Sequence, residues 1–284
     1  MRGVRLTGNY LMSTKLDLDS LALEMKEAQD LVLQIKPFSE REHGFDLSCA
    51  YKVANLIHRA RIAEGAHPIG RKIGFTNPDM WSIYGVSDPI WAYVYDTTVV
   101  QLQDLHTKCP VNRFSEPKIE PEIIFHLCSD LSAQADLPDV INAIDWVAHG
   151  FEIVQSHFPG WIFQAPDTVA DGALHGALLV GPHMPLHKLG IYPASALESL
   201  KVELSCEGKL IETGSGSNVL GNPLTAIVHL ASVLNNQPDH APLKAGEIIS
   251  TGTITTAQAI HADQTWQSNV KGAALAGLTV EFVP

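Results

Sequence analysis

The chain has 284 residues, of which 45% are hydrophobic and 18% are charged, and its formal net charge is −12. This composition is typical of a folded globular protein with a sizeable core, and it excludes wholesale disorder. The acidic balance argues against nucleic acid or an anionic membrane as a partner, so an anionic substrate would need a bound cation or a suitably placed Lys or Arg.

The cysteines and the hydrophobic runs indicate the compartment. The four cysteines lie far apart, and no pair has the CxxC spacing of a zinc ribbon or a thioredoxin-type site. Reduced thiols are expected, because a chain with this much apolar sequence needs no disulfide framework. No run approaches ~18 consecutive apolar residues, and the first residues lack the apolar segment of a secretory signal. These features predict a cytoplasmic protein without a membrane span.

Helical spacing dominates the first part of the chain. Apolar residues recur every three or four positions from Leu21 to Ile35, with Ser20 as the expected N-cap. Residues 46–65 repeat the pattern and end near Gly65. The sequence therefore predicts a helical N-terminal region over residues 1–66.

From residue 67 onward, short apolar runs are separated by Gly, Pro, Asp and Asn, which is typical of strands. The stretch over residues 202–212 indicates a hairpin that turns at Glu207 and Gly208. Two helices are expected to interrupt the strands, at residues 137–150 and 223–236. The predicted fold class is α+β, with a mostly antiparallel β domain over residues 67–284.

Acidic residues interrupt two of the apolar runs. Glu120 and Glu122 lie two positions apart in KIEPEIIF, so a strand would present both on one face, and Glu152 lies in FEIVQS. Neighbouring buried carboxylates raise each other's pKa unless a cation neutralises them, and hard divalent cations prefer such ligands. The alternative is a solvated edge, with Glu152 paired to an arginine. The residues alone leave a metal site and a charged surface face open.

The order and spacing of several short motifs resemble the fumarylacetoacetate hydrolase superfamily. These motifs are KIEPEIIF, FEIVQS, DTVADGALHGALLVG, GSGSNVLGNP and ISTGTIT, and the resemblance extends from about Lys72 to the C-terminus. The hydratase and decarboxylase branch is the most similar. The resemblance implies a distorted β-roll with a helical N-terminal portion. It also implies a Mg²⁺ or Mn²⁺ ion held by Glu120, Glu122 and Glu152.

Two residues near the start of the β domain acquire roles through this resemblance. Lys72 matches the functional lysine of a KIG motif, where its ammonium would stabilise an enolate or relay a proton. Taken alone, Lys72 has the character of a surface lysine, and Arg71 is a second candidate for the same role. Asp79 is a candidate for proton transfer, and its alternative is a turn or helix-start residue after Pro78.

Two further motifs supply substrate contacts in this reading. In STGT, Gly252 would let a ligand approach the backbone, and the hydroxyl of Thr253 would help hold the substrate carboxylate. The alternative is a plain turn after a strand. Asp171, which matches the family motif in ADGALHG, is a further expected substrate contact, and His175 in the same motif is a catalytic candidate.

The chain departs from the family pattern at three positions. Gln155 stands where the hydratases carry Asp, and Gly172 and Leu174 stand where they carry Asn and Ser. No lysine occupies the position that the hydrolases of the superfamily use, so carbon–carbon bond hydrolysis is disfavoured. The hypothesis for the lost polar groups is that His175 replaces part of their hydrogen bonding.

The expected activity is a metal-dependent hydratase that adds water to a 2-hydroxydienoate and yields a 4-hydroxy-2-oxo acid, in catabolism of the aromatic meta-cleavage type. A decarboxylase of the 4-oxalocrotonate type and an inactive metal-binding relative are the alternatives. A decarboxylase would need an extra basic group for a dicarboxylate, and the candidates are Arg71, Arg113 and Lys118. Because members of the family form homo-oligomers, the resemblance implies one here as well, with a small anionic 2-oxo acid as the substrate.

Overall fold

The computed structural model describes residues 16–78, 81–84, 86–237 and 239–284. The helices of this part of the chain are α1 (Leu18–Leu31), α2 (Phe38–Arg41), α3 (Leu47–Ala63), α4 (Trp81–Tyr84), α5 (Leu137–Ala143), α6 (Ala165–Ala170), α7 (Pro193–Ser199) and α8 (Pro223–Asn235). Helices α1, α3 and α8 match the predicted ones. The N-cap of α1 is Asp17 rather than Ser20, since the Asp17 side chain accepts a hydrogen bond from the Ser20 amide at 3.2 Å. Either residue type caps a helix, and apolar periodicity cannot choose between them.

The strands of the described residues begin with β1 at residue 68 and end with β14 at residue 283. Their bounds are β1 (Pro68–Gly74), β2 (Ile90–Tyr95), β3 (Val99–Gln101), β4 (His106–Pro110), β5 (Lys118–Leu127), β6 (Ile144–Val154), β7 (His175–Val180), β8 (Met184–Pro185), β9 (Lys201–Cys206), β10 (Lys209–Ser215), β11 (Ile248–Thr253), β12 (Gln258–Ala259), β13 (Thr265–Lys271) and β14 (Thr279–Val283).

Two sheets form in this part of the chain. The larger has the strand order β2-β1-β11-β5-β6-β7-β3, with β12 paired to β5 and β8 paired to β6, and the smaller has the order β10-β9-β13-β14-β4. Neighbouring strands are antiparallel except in the pairs β1 with β11, β3 with β7 and β4 with β14. The predicted hairpin joins β9 to β10 through Glu207 and Gly208, which both have positive φ. These features confirm the predicted α+β fold with a mostly antiparallel β region.

The predicted helix over residues 137–150 is wrong in its second half. Helix α5 ends at Ala143, and β6 begins at Ile144. β6 then runs antiparallel to β5, from the pair Leu127 and Ile144 to the pair Lys118 and Val154. Its residues from 147 to 154 are all buried. Cross-strand pairing and burial therefore outweigh the local helical spacing of this segment.

The N-terminal helices hold one end of the β region in place. Apolar residues of α1, including Leu21 and Met25, form one buried cluster with Phe158, Val169 and Leu174. The cluster also contains Ala173, which precedes Leu174 in the turn before β7. The division of the chain at residue 66 stays a prediction, because this cluster joins both sides of it. No helix among the described residues has both the length and the apolar character that a bilayer span requires.

Candidate metal centre

Three glutamates from two neighbouring strands converge on one point. Glu120 of β5 lies directly opposite Glu152 of β6, and Glu122, two residues further along β5, lies opposite Gly150. Because residues two apart in a strand point to the same face, all three side chains meet on one side of the ladder. One carboxylate oxygen from each of the three lies within 4.8 Å of the others. The sequence-predicted acidic trio is thus brought together.

The donor set of this cluster fits a hard divalent cation. The Oε2 atom of Glu122 accepts hydrogen bonds from the Ser250 hydroxyl and from the Gly252 amide, the latter at 3.1 Å. Its Oε1 atom is buried and has no hydrogen-bond partner among the described residues. A buried, unpartnered carboxylate oxygen is costly unless a cation contacts it, and sites made only of oxygen suit Mg²⁺, Mn²⁺ or Ca²⁺.

The pKa values of Glu120 and Glu122 also favour a bound cation. Burial, with a further contribution from the Glu152 charge, raises the pKa of Glu120 to about 7, although Lys72 opposes the shift. The pKa of Glu122 is raised well above its ordinary value by burial and by the charges of Glu152 and Glu120. Both shifts describe the protein without a metal ion. A divalent cation would favour the ionised form of both carboxylates and remove this cost.

Glu152 is held by a cation on one side and by an imidazole on the other. The Lys72 ammonium lies 3.0 Å from Glu152 Oε2, as an ion pair rather than a well-aligned hydrogen bond, and it donates to the Ala173 carbonyl at 2.9 Å. His175 Nδ1 lies 2.7 Å from Glu152 Oε1, and its Nε2 lies 2.9 Å from the Thr98 hydroxyl. A carboxylate only accepts hydrogen bonds, so His175 carries a proton on Nδ1.

These contacts set the charge states of Glu152 and Lys72. Burial alone would raise the pKa of Glu152, but the Lys72 charge and the His175 hydrogen bond outweigh it and lower that pKa to about 2. Burial would likewise lower the pKa of Lys72, but the three glutamate charges raise it. Lys72 therefore stays an ammonium in the metal-free site. Its side chain is almost completely buried, which excludes the surface-lysine interpretation.

A cavity opens beside the glutamates at the end of β11. Gly252 has φ +91°, and a Cβ at this position would lie 1.9 Å from the Thr76 hydroxyl, so only glycine fits. The Thr253 hydroxyl donates to the Thr255 carbonyl at 2.8 Å. The residues that line the cavity are Lys72, Gly74, Phe75, Thr76, Asn77, Ile90, Glu120, Val154, Trp161, Ala173, Leu174, Gly252 and Thr253. The cavity thus brings the STGT motif to the metal cluster, and the substrate contact of Thr253 stays a prediction.

Asp171 lies outside the lining of the metal cavity. Asp171 is buried, and its carboxylate accepts from the His157 amide at 3.1 Å and lies 2.8 Å from His157 Nδ1. Gln29 adds a third contact at 3.3 Å, so the oxygens of Asp171 are engaged within the protein. Its role as a substrate contact stays a prediction that this geometry does not support. Asp79 lies outside the described residues.

The departures from the family pattern surround His175. Gln155 accepts a hydrogen bond from the Ser115 amide at 3.1 Å and donates to the His175 carbonyl at 3.3 Å, so it links the segment at Ser115 to the start of β7. Gly172, Ala173 and Leu174 have φ values of 61°, 53° and 63°, which make a left-handed turn. In this turn Leu174 faces the metal cavity without a hydrogen-bonding group. The His175 imidazole supplies the polar contact to Glu152.

Sequence reasoning missed two polar residues of the site. Ser250, which donates to Glu122, lies two positions before Gly252 on β11, and the alternation of a strand could have indicated it. Thr98, the partner of His175, follows β2 and carried no signal in the sequence, because only the fold brings it near.

Comparison with known proteins identifies the family. The family model for the fumarylacetoacetate hydrolase C-terminal region matches residues 88–280. The chain therefore belongs to the fumarylacetoacetate hydrolase family, as the motifs predicted.

Similar proteins fall in the expected branch. The chain is 29% identical over 255 residues to a 2-keto-4-pentenoate hydratase from Paraburkholderia xenovorans, covering 89% of this chain and 91% of that protein. It is 30% identical over 246 residues to a 2-hydroxyhexa-2,4-dienoate hydratase from Comamonas testosteroni, covering 86% and 89%. A solved 4-oxalocrotonate decarboxylase from Pseudomonas putida G7, complexed with magnesium and adipate, superposes with a TM-score of 0.84 at 27% identity, covering 94% and 97%.

Proposed function

We propose that the protein is a divalent-metal-dependent hydratase that adds water to a small 2-hydroxydienoate and yields a 4-hydroxy-2-oxo acid. The observation that carries this proposal is the convergence of Glu120, Glu122 and Glu152 beside the buried ammonium of Lys72. The names of the similar hydratases support the substrate class. Mg²⁺ or Mn²⁺ is the proposed ion, because the site offers only carboxylate oxygens and the family resemblance implies one of these two ions.

The proposed roles follow from the contacts of each residue. When bound, the ion would act as a Lewis acid and stabilise the negative charge that develops on the substrate. The three glutamates hold the ion, and His175 orients Glu152 through its Nδ1 proton. Lys72 lies in the lining of the same cavity, where its ammonium would stabilise the enolate and donate a proton to the substrate carbon.

The reaction consists of two proton movements and one addition. The 2-hydroxyl proton leaves and a proton joins the terminal carbon, so the dienol becomes a 2-oxo-3-enoate. The oxygen of water then bonds to C4 and keeps one proton as the 4-hydroxyl group. The other proton of the water is transferred to C3. Thr253 is the proposed contact of the substrate carboxylate, since it lines the same cavity as Lys72 and Glu120. Asp79 remains a candidate for one of the proton transfers.

Decarboxylation of a 2-oxo dicarboxylate is the second candidate, because the decarboxylase noted above has a similar fold. It would need a basic group for the second carboxylate. Arg71 is buried, pairs with Glu247 and stacks on Tyr93, so it is turned away from the cavity. Lys118 shares a strand face with Glu120 and lies 3.7 Å from the ring of Trp161, which lines the cavity. Lys118 is therefore the proposed group for this alternative.

Ultraviolet absorbance and CO₂ release distinguish a hydratase, a decarboxylase and an inactive relative. We expect Mg²⁺-loaded protein to bleach the ultraviolet absorbance of 2-hydroxypenta-2,4-dienoate without releasing CO₂. Release of CO₂ from 2-oxohex-3-enedioate would favour the decarboxylase, and Lys118→Met should then remove it. An inactive relative, disabled at Gln155, Gly172 or Leu174, would bind Mg²⁺ and convert neither compound. Glu152→Gln should abolish the reaction, and Glu198→Gln, at an exposed site, serves as its matched control.

We also propose a homo-oligomer and a cytoplasmic location. The first rests on the resemblance to the family, and the second rests on the reduced thiols expected of a chain that needs no disulfide framework. Size-exclusion chromatography with light scattering tests the former.

A further inference from the structure

A second and larger cavity, of about 290 Å³, shares a wall with the metal cavity. The left-handed turn separates the two, since Ala173 and Leu174 line the metal cavity whereas Gly172 and His175 line the second one. The size falls near the lower end of small-molecule sites. The proposed hydratase reaction uses only the metal cavity, which leaves this space without a role.

One wall of the second cavity is a cluster of flat rings. Tyr51 stacks on Trp91 with ring centroids 5.8 Å apart, and Tyr93 meets Trp91 edge-on at 5.3 Å. The imidazole of His240 lies 4.7 Å from the same indole. All four rings line the cavity. Such a wall favours a flat, unsaturated ligand, because aromatic rings pack on one another in stacked or edge-on arrangements.

The charges around the cavity favour an anion. Arg61 lines the cavity, but it is paired with Asp30, which lines it too. Arg113 also lines the cavity, is exposed, and forms no ion pair with any carboxylate in the described part of the chain. Burial raises the pKa of Tyr51 to about 12, so its hydroxyl is neutral. The cavity therefore has a surplus positive charge in a protein of net charge −12.

We propose that this cavity is a second ligand-binding site that takes a flat aromatic carboxylate, with its ring on the Trp91 wall and its carboxylate on Arg113. A guanidinium binds a carboxylate through charge-assisted hydrogen bonds, which supplies the selectivity for an anion. The polar side chains of Gln155, His175 and Thr98 also line the cavity, but each is already hydrogen-bonded within the protein, so Arg113 supplies the polar contact. The lining of the site contains none of the three glutamates, although it shares His175 with the metal centre.

Calorimetric titration of the full-length protein with benzoate, in the presence of EDTA, tests the site directly. We expect one benzoate per chain, with weaker binding of two matched probes, uncharged benzamide and non-aromatic cyclohexanecarboxylate. Absence of benzoate binding, or equal affinities for the three compounds, would overturn the proposal. EDTA removes any metal ion that could bind the carboxylate.

A second titration separates this cavity from the metal cavity. With Mg²⁺ and saturating oxalate present, the affinity for benzoate should change by less than about twofold, since the two ligands occupy different spaces. Glu120→Gln, which alters only the metal cavity, should also leave benzoate binding intact. Competition by oxalate would locate benzoate beside the glutamates and contradict a second site.

Two variants of the cavity lining complete the test. Arg113→Gln should weaken benzoate about fivefold and leave benzamide unchanged, because it removes one charge-assisted contact. Arg59→Gln, which removes an exposed arginine outside the cavity lining, is the matched control and should change neither. Ala54→Phe should fill the cavity and abolish binding. If Ala54→Phe fails to fold, the comparison of Arg113→Gln with Arg59→Gln tests the proposal by itself. Unchanged benzoate affinity in Arg113→Gln refutes the proposal.

Discussion

Replacing Glu120 with glutamine tests whether the glutamate cluster carries a cost that only a cation relieves. The pKa of Glu120 rises from 4.5 to about 7, chiefly through burial. Each pKa unit corresponds to about 1.4 kcal/mol, so ionised Glu120 destabilises the metal-free fold by at most about 3 kcal/mol at pH 8. Because its side chain is partly exposed, we expect Glu120→Gln to gain about 1 to 3 kcal/mol of unfolding free energy there.

The sign of this effect depends on pH. The folded protein binds the Glu120 proton more tightly than the unfolded chain does, since the folded pKa is the higher one. That proton therefore stabilises the fold fully below pH 4.5, and the contribution is lost as pH rises through about 7. The advantage of Glu120→Gln over the wild type should accordingly be absent near pH 4.5 and complete at pH 8.

Urea unfolding in EDTA measures the stability of the metal-free proteins, and urea unfolding in Mg²⁺ measures how much the ion stabilises each of them. In Mg²⁺ the wild type should gain stability and Glu120→Gln should not, because the variant loses one ligand of the ion. Glu198→Gln, a change at an exposed glutamate, should match the wild type in both conditions. A Glu120→Gln protein that is less stable than the wild type in EDTA at pH 8 would refute the reasoning, as would equal stabilisation of the two proteins by Mg²⁺.

Three further changes probe the surroundings of the ion. His175→Ala should lower Mg²⁺ affinity about 10- to 100-fold in calorimetry, since it removes the proton that orients Glu152; unchanged affinity would exclude that role. Lys72→Met should lower the rate of dienoate loss by about 100-fold or more while Mn²⁺ binding, measured by electron paramagnetic resonance, persists. Gly252→Ala should reduce unfolding free energy by more than Gly246→Ala, because both have positive φ but only Gly252 also meets a neighbouring atom; equal losses would exclude the clash.

The sequence identified the three acidic residues but left a metal site and a charged surface face open. Alternation placed Glu120 and Glu122 on one face, and an acid inside an apolar run drew attention to Glu152. It did not contain the register that sets Glu120 opposite Glu152, because register is fixed by pairing along the whole length of β5 and β6. The resemblance to the family supplied the convergence that the spacing alone left open.

Other features were beyond the sequence for physical reasons. The helical spacing of residues 137–150 was real, but the pairing of β6 with β5 overrode it beyond Ala143. Thr98 reaches His175 from 77 positions away, and no local pattern records such a contact. Asp171 matched a family motif, yet its environment assigns its oxygens to His157. A motif match gives the position of Asp171 but does not give the partners of its side chain.

A crystal structure with Mn²⁺ and oxalate, recorded with anomalous scattering from the metal, tests the central claim most directly. We predict one anomalous peak within about 2.0 to 2.4 Å of a carboxylate oxygen from each of Glu120, Glu122 and Glu152, with oxalate on the same ion and Lys72 beside it. A peak elsewhere, or an ion that one of these glutamates does not contact, would contradict the proposed metal centre and the reaction built on it.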